Sequence, residues 1–235
     1  MSELIRVEKG PYIFFVTKEL AELPNGELLN LLARPGIVVA GGTLGGRGAI
    51  SFTSIPTIGP IVIKEYYRGG FLGGILNNLH LRFTPNGRGK AEYNTLKFAR
   101  EQGINVPEPL GYAEVGVYLY RTWSFMREVE GAVNLVELCK KDPSLITKIM
   151  PKLIEQIKKL FNCGIFHPDL HPGNVLVQPD GTVFLVDFDK ALYWQGNLAD
   201  LKRRFLNRWR RAVIKHSLSD LLSEQMAWGL KADYE

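Results

Sequence analysis

The sequence contains little cysteine and no long apolar run. Two of its 235 residues are cysteines, Cys139 and Cys163, and neither lies near a second Cys or His at the spacing of metal ligands. We therefore expect two reduced structural thiols rather than a zinc site or a disulfide framework. No apolar stretch reaches the ~18 residues that a membrane-spanning helix needs, and residues 1–10 lack the apolar segment of a secretory signal. These absences favour a cytosolic protein.

Net charge narrows the choice of partners. The chain carries 29 basic and 24 acidic residues, a formal charge of +5 at pH 7, and its isoelectric point is about 9.1. This balance favours an anionic partner such as a nucleotide, a nucleic acid, a phosphorylated lipid or a membrane surface. The sequence has no internal repeat, no low-complexity tract and no aromatic-basic pattern of an RNA-recognition strand. We therefore expect no nucleic acid partner.

Strand patterns begin with a glycine-dense hairpin. Residues 37–40 enter the glycine-dense stretch 41–48 and residues 49–52 leave it, which predicts two strands joined by a tip with few side chains. A further apolar run at 60–63 ends in Lys64. If that strand is buried, the amine of Lys64 must lie inside the protein.

A helix and a break follow these strands. Helical character is predicted at about 89–102, and Gly103 is placed to end the helix. Residues 117–129 indicate one or two more strands, after which Glu130 and Gly131 mark a break. We expect this break to join two lobes.

In the rest of the chain, the spacing of the apolar residues changes from that of strands to that of helices. Apolar residues recur at helical spacing over 146–161, where Pro151 should kink the helix or begin its second part. Residues 174–177 and 183–186 flank a turn and predict a hairpin. The sequence therefore predicts an α+β, two-lobed fold, with a strand-rich N-lobe at 1–129 and a mainly helical C-lobe at 130–235.

The strongest chemical signal is His167-Pro-Asp-Leu-His-Pro-Gly-Asn174 followed by Asp187-Phe-Asp189. Asp169 and Asn174 lie five positions apart, as in the kinase catalytic loop, and Asp187 follows the predicted hairpin. Phosphoryl transfer needs a carboxylate near the acceptor hydroxyl, and an amide oxygen and a second carboxylate on Mg²⁺. Oxygen ligands without a Cys or imidazole cluster suit magnesium rather than zinc. Each motif alone is also compatible with an ordinary loop or turn, but their order and spacing together are specific.

Upstream residues complete the kinase pattern. Lys64 matches the lysine that holds the α- and β-phosphates, and Glu92 matches its helix partner, with Glu101 as a competitor for that role. Either residue is also compatible with an ordinary surface position. The glycine-dense tip can cover phosphates because bare backbone approaches closely and offers its N–H groups. The predicted nucleotide contacts in that tip are Gly41, Gly42, Gly45, Gly46, Arg47 and Gly48.

The motif order resembles the protein-kinase-like superfamily over most of the chain. Finer features, among them Arg47-Gly48-Ala49, residues 64–70 and the tail from Trp194 to Arg203, resemble the lipopolysaccharide kinases, especially the 3-deoxy-manno-octulosonic acid (Kdo) kinase family. The resemblance implies transfer of the ATP γ-phosphate to a sugar hydroxyl of a Kdo-lipid A precursor. It also implies a peripheral location on the cytoplasmic face of a Gram-negative inner membrane, against an anionic membrane surface.

Residue roles follow from the same resemblance. Asp169 is implied as the catalytic carboxylate, Asn174 and Asp187 as Mg²⁺ ligands, and Lys64 with Glu92 as the pair that positions the phosphates of ATP. Three alternatives stay open: a heptose kinase of the same lipopolysaccharide core, a small atypical protein kinase, and a nucleotide-binding scaffold.

The sequence departs from protein kinases at two places. Asp189 stands where they have glycine, which removes the backbone freedom for a conformational switch. The Ala-Pro-Glu segment is also missing, so no platform for a peptide substrate is evident. Both departures favour a small or glycolipid acceptor.

Two further segments have alternative readings. The insertion at 68–83 is apolar, broken by glycines and flanked by arginines, so it either contacts a phosphorylated glycolipid or packs into the N-lobe. Near the end, the apolar residues between Leu198 and Val213 share one helix face and basic residues crowd the remainder. That helix either lies on anionic lipid or packs its apolar side on the C-lobe with its arginines in solvent.

Overall fold

An antiparallel sheet with helices dominates the first part of the chain. The computed structural model describes residues 3–24, 26–33, 37–38, 48–67, 79–81 and 87–231. The strands here are β1 (Ile5–Lys9), β2 (Tyr12–Val16), β3 (Ile37–Val38), β4 (Gly48–Ile55), β5 (Gly59–Tyr66), β6 (His80–Leu81), β7 (Pro109–Val115) and β8 (Leu119–Arg127). The helices are α1 (Lys18–Ala21), α2 (Glu27–Ala33) and α3 (Arg88–Glu101). The sheet order is β1-β2-β7-β8-β5-β4-β3, with β6 on β8.

Strand β5 shows how the sheet positions a functional lysine. Ile61 and Ile63 are buried in a core that Leu20 of α1 and residues of α2 also line. Successive side chains in a strand point to opposite faces, so Lys64 and Tyr66 point away from that core. Both are buried, and α3 supplies their partner on that face.

The last part of the chain is mainly helical. Its helices are α4 (Leu135–Lys141), α5 (Ile146–Asn162), α6 (Leu198–Lys215) and α7 (Leu221–Lys231). Its strands are β9 (Val133–Asn134), β10 (Ile165–Phe166), β11 (Val175–Val177), β12 (Val183–Leu185) and β13 (Leu192–Tyr193), in the orders β12-β11-β9 and β10-β13. Short 3-10 turns occupy Pro143–Leu145, Pro172–Asn174 and Phe188–Lys190.

Residue contacts divide the described chain into two compact units. The first holds the described residues within 1–42, 46–97 and 108–128, and the second holds those within 98–107 and 129–235. The first unit is rich in strands and the second in helices, which confirms the α+β prediction. The assignment of separate functions to 1–129 and 130–235 stays a prediction.

Helix α6 is fixed by its apolar face. Leu201, Phe205, Trp209 and Val213 are at most 2% exposed. The ring of Phe205 meets that of Phe161 on α5 edge-on, with centroids 5.4 Å apart. The indole Nε1 of Trp209 also donates to the carbonyl of Leu222, at 3.3 Å. Of the two readings for this helix, packing of the apolar face inside the protein is therefore correct.

The α5 region excludes one of the two alternatives predicted for Pro151. Residues 146–162 form a single α-helix, and Pro151 lies inside it rather than beginning a second part. The helix survives because its buried face includes Ile149, Met150, Leu153 and Ile157. Burial of each such side chain contributes about 1.5–3 kcal/mol, whereas a proline inside a helix costs about 3 kcal/mol.

Local predictions hold elsewhere. The helix predicted at 89–102 is α3, and Gly103 ends it with a φ of 72°. The strand pairs β3–β4 and β11–β12 are the two predicted hairpin pairings. Most of the insertion at 68–83 lies outside the described residues. Among the helices that are described, none combines the length and hydropathy needed to cross a membrane.

We expect the two tryptophans of α6 and α7 to differ sharply in their effect on stability. Trp209 is fully buried whereas Trp228 is 76% exposed. Trp209→Ala should lower the free energy of unfolding by about 3–5 kcal/mol because it leaves a large cavity. Trp228→Ala should change it by less than about 0.5 kcal/mol. Urea denaturation followed by circular dichroism measures both, and equal losses would contradict the packing described for α6.

Candidate active site

The loop from His167 to Asn174 is folded onto itself by hydrogen bonds between residues that are close in the sequence. The side-chain amide Nδ2 of Asn174 donates to the backbone carbonyl of Asp169, at 3.0 Å. His171 caps the 3-10 turn that follows it, because its Nδ1 accepts from the backbone N–H of Gly173, at 3.0 Å. Asn174 is 1% exposed. These bonds hold Asp169 and Asn174 together although five positions separate them.

The hairpin then brings Asp187 back to this loop. Strands β11 and β12 pair with Val175 opposite Leu185, and the backbone N–H of Val186 donates to the carbonyl of Asn174, at 3.1 Å. Asp187 itself adopts a left-handed backbone conformation, with φ 68° and ψ 56°. Such a conformation is uncommon for a residue other than glycine and often marks a functional turn.

His167 fixes the other side of this turn. Its Nε2 lies 3.0 Å from the carbonyl of Val186, and its ring meets that of Phe188 edge-on at 4.8 Å. Burial lowers the pKa of His167, although the Val186 carbonyl and the charges of Asp187 and Asp169 oppose that shift. The neutral imidazole therefore carries its proton on Nε2 and donates it to the carbonyl.

Asp169 is paired with two cations. Lys190 Nζ lies 2.5 Å from Oδ2, and Arg208 Nη2 lies 2.8 Å from Oδ1. Burial raises the pKa of Asp169, but the hydrogen bond and charge of Lys190 and the charge of Arg208 outweigh it, and the net shift is downward. The carboxylate is thus ionised at neutral pH. The charge of Asp187 also acts on Asp169, so the two carboxylates share one neighbourhood.

Sequence reasoning assigned no site role to Lys190 or Arg208. Lys190 directly follows the Asp-Phe-Asp triplet, and its position beside this motif could have identified it as a site residue. Arg208 lies 39 positions from Asp169 on helix α6. Nothing in the basic pattern of that helix distinguished Arg208 from its neighbours. Its role depends on how the helix packs.

The strand-rich unit contains a separate buried ion pair. Lys64 Nζ lies 3.0 Å from Glu92 Oε1, and the side chains are 11% and 1% exposed. The second carboxylate oxygen of Glu92 accepts from the hydroxyls of Tyr66 and Ser124. Ser124 lies opposite Lys64 across strands β5 and β8. Glu92 rather than the exposed Glu101 is therefore the partner of Lys64.

Part of the predicted nucleotide contact lies outside the described residues. This applies to the predicted phosphate contacts of Gly41, Gly42, Gly45, Gly46 and Arg47. Gly48 begins strand β4, where it pairs with Tyr66. The structure thus brings together Asp169, Asn174 and Asp187 in one unit and Lys64 with Glu92 in the other, and their roles stay predictions.

We expect the stability of the protein to fall in mild acid through His171, which lies in the loop from His167 to Asn174. Burial, with the nearby charges of Arg208 and His216, lowers the pKa of His171 from its ordinary 6.5 to about 4. Between these values the unfolded chain binds a proton that the folded protein does not, so stability declines as pH falls from 6.5 towards 4.

His171→Asn removes this titration while keeping an acceptor for the N–H of Gly173. Its free energy of unfolding, measured by urea denaturation from pH 7 to pH 4, should decline less steeply than that of the wild type. The difference between the two free energies of unfolding at pH 7 gives the effect of the lost His171 packing alone. Parallel curves for the two proteins would show that His171 does not contribute to the acid sensitivity.

Comparisons with known proteins support the kinase family that the order of the motifs indicates. The family model described as lipopolysaccharide kinase (Kdo/WaaP) family matches residues 41–228. A 3-deoxy-D-manno-octulosonic acid kinase of Vibrio vulnificus is 32% identical over 184 residues, which cover 74% of this chain and 77% of that protein. The protein of the same name from Pasteurella multocida is 33% identical over 194 residues, with 76% and 80% covered.

The protein of that name from Vibrio cholerae is 31% identical over 188 residues, with 75% of this chain and 78% of that protein covered. The sheet-rich and helical parts also agree with the kinase-like α+β fold that the sequence resemblance implied. The matched segment covers well over half of the chain. The chain therefore belongs to the lipopolysaccharide kinase (Kdo/WaaP) family.

Proposed function

We propose that this protein transfers the γ-phosphate of ATP to a hydroxyl of Kdo in the lipid A inner core of lipopolysaccharide. The observation that carries the proposal is the convergence of Asp169, Asn174 and Asp187 on one turn of the helical unit. The choice of sugar rests on the relatives, which carry the name 3-deoxy-D-manno-octulosonic acid kinase.

Asp169 is proposed as the catalytic carboxylate. Its lowered pKa keeps it ionised, so it can accept a hydrogen bond from the acceptor hydroxyl. The hydroxyl oxygen bonds to the γ-phosphorus as the bond to the ADP oxygen breaks, and the carboxylate receives the hydroxyl proton. Lys190 and Arg208 hold Asp169 in place and favour its charged form.

Asn174 and Asp187 are proposed to hold Mg²⁺. The Nδ2 of Asn174 is bonded to the Asp169 carbonyl, which leaves Oδ1 as the atom to face a cation. Among the described residues, no group of three or more His, Cys, Asp and Glu side chains could hold a metal. An amide and one carboxylate still fit Mg²⁺, which is held by few protein ligands together with water and substrate phosphates. Bound there, the ion would neutralise charge on the nucleotide phosphates.

Lys64 and Glu92 are proposed to position the phosphates of ATP. The three donors on the buried carboxylate of Glu92 fix its orientation, and Glu92 in turn fixes the amine of Lys64. A positioned ammonium is suited to bind the α- and β-phosphates. Backbone N–H groups of the glycine-dense tip, with Arg47, are proposed to cover the phosphates.

A peripheral position on the cytoplasmic face of the inner membrane is part of the proposal. The acceptor is a glycolipid precursor, so it is embedded in that membrane. The formal charge of +5 is suited to a protein that approaches an anionic lipid surface. We do not propose that the positive charge of the protein binds nucleic acid.

A comparison of acceptors tests the proposed function. We expect the purified protein with ATP and Mg²⁺ to add phosphate to a lipid A precursor that carries Kdo, and to leave a generic protein unmodified. Mass spectrometry of the lipid product measures the transfer. Equal modification of the precursor with and without Kdo, or modification that requires heptose, would reject Kdo as the acceptor sugar.

Two isosteric substitutions should affect different steps. Asp169→Asn should lower kcat at least about a hundredfold while nucleotide affinity stays within about twofold, because a positioned base is lost. Asp187→Asn should weaken binding of the Mg²⁺–nucleotide and raise the Mg²⁺ concentration needed for half-maximal rate. Titration of each variant with nucleotide, with and without Mg²⁺, checks both. Loss of nucleotide affinity in Asp169→Asn, or unchanged Mg²⁺ dependence in Asp187→Asn, would contradict these roles.

A further inference from the structure

Helix α6 holds the net positive charge of the protein. It contains seven basic residues and one acidic residue, a net charge of +6. The whole chain carries +5, so the residues outside α6 together carry −1. Its acidic residue, Asp200, is paired with Arg203, at 2.7 Å. The excess positive charge that would attract an anionic partner is therefore concentrated on this helix.

A row of basic residues follows one side of the helix. Arg204, Arg208, Arg211 and Lys215 recur at intervals of four, three and four, which places them along one side of an α-helix. We call these four residues the α6 basic stripe. The guanidinium of Arg204 lies over the ring of Trp194, 5.4 Å from its centroid. Arg204, Arg211 and Lys215 are exposed.

The stripe runs past the catalytic carboxylate. Arg208 lies in its middle and donates from Nη2 to Asp169 Oδ1. A guanidinium has five N–H donors, and 40% of the Arg208 side chain is exposed, so it can bind Asp169 and a second anion from solution at once. Any group bound there lies next to the carboxylate that is proposed to receive the proton of the acceptor hydroxyl.

We propose that the α6 basic stripe is the acceptor-binding surface, and that Arg208 binds a carboxylate or phosphate of the acceptor beside the hydroxyl that is phosphorylated. This inference rests on the proposed function, since it assumes an acidic glycolipid acceptor. Kdo is itself a sugar acid, and a guanidinium recognises carboxylate and phosphate through paired N–H donors. The contact with Asp169 favours the acceptor over bulk lipid as the occupant, because a surface for lipid alone has no need to reach the catalytic carboxylate.

Kinetics of Arg208→Ala, Arg208→Lys and Arg210→Ala test the inference. Arg210 is exposed on the same helix but lies roughly 200° around its axis from Arg208. Arg210→Ala therefore removes the same charge from outside the α6 basic stripe and serves as the matched control. Rates are measured in uncharged detergent micelles that contain the lipid acceptor, so that no anionic lipid contributes. The KM for acceptor and the KM for ATP are determined for each protein.

Arg208→Ala should raise the KM for acceptor at least about tenfold and leave the KM for ATP within about twofold. Arg208→Lys should recover part of this loss, because lysine keeps the charge but not the paired donors. Arg210→Ala should stay within about twofold of the wild type in both values. The unchanged KM for ATP also reports that the variants are folded.

Three outcomes would overturn the inference. If Arg208 acts only on Asp169, Arg208→Ala lowers kcat and moves the acid limb of its pH profile upward, with the KM for acceptor unchanged. If only total charge matters, Arg210→Ala matches Arg208→Ala. If the stripe serves the membrane, the effect of Arg208→Ala on KM appears only after phosphatidylglycerol is added to the micelles.

The wild type separates this inference from the proposed function. If wild-type protein phosphorylates a heptosylated precursor rather than one carrying Kdo alone, the proposed sugar is wrong, and the same comparison is made with the heptosylated acceptor. If the wild type is active and Arg208→Ala has a normal KM for acceptor, the inference alone fails. If the wild type phosphorylates no acidic glycolipid, both fail.

Discussion

The site depends on the electrostatic compensation of one partly buried carboxylate. Removing Asp169 from water favours its protonated form, in which it could not receive the proton of a hydroxyl. Lys190 and Arg208 reverse that tendency, each from a different part of the helical unit. Lys190 directly follows the Asp-Phe-Asp triplet in the sequence, whereas Arg208 reaches Asp169 only because helix α6 packs against the rest of the helical unit. Because of this dependence, the lowered pKa of Asp169 requires the helical unit to be correctly folded.

The surrounding loop shows how a site of this kind is held by backbone as much as by side chains. The carbonyls of Asp169, Asn174 and Val186 each accept a hydrogen bond that joins two segments of the turn. His167 supplies one of these donors from a position shielded from water, where it stays neutral. Uncharged groups therefore maintain the shape of the loop that carries the charged side chains.

The sequence predicts those features that are set by neighbouring residues. The spacing of Asp169 and Asn174, the hairpin after them and the end of α3 at Gly103 all depend on local turn and strand chemistry. Lys64 was also predictable, because a lysine at the end of an apolar strand needs a buried partner, although Glu92 and Glu101 were both available in the sequence. The packing of α3 against the sheet selects Glu92.

Features that depend on packing between distant elements were not predictable in this way. Arg208 is one of several similar residues along α6, and its contact with Asp169 follows from which face of the helix is buried. The expectation that Pro151 could begin a second part of the helix was wrong for the converse reason. The local cost of the proline is real, but the apolar face of α5 compensates for it through contacts that no short stretch of sequence contains.

The separation of charge between α6 and the remainder of the chain gives the molecule a strong electric dipole. In the field of a negatively charged surface, a dipole experiences a torque as well as an attraction, so the protein turns while it is still approaching. Ions screen that field over a Debye length of about 8 Å at physiological ionic strength. The turning therefore takes place within about 8 Å of the surface, roughly three layers of water, and the side of the protein that carries Arg208 arrives first.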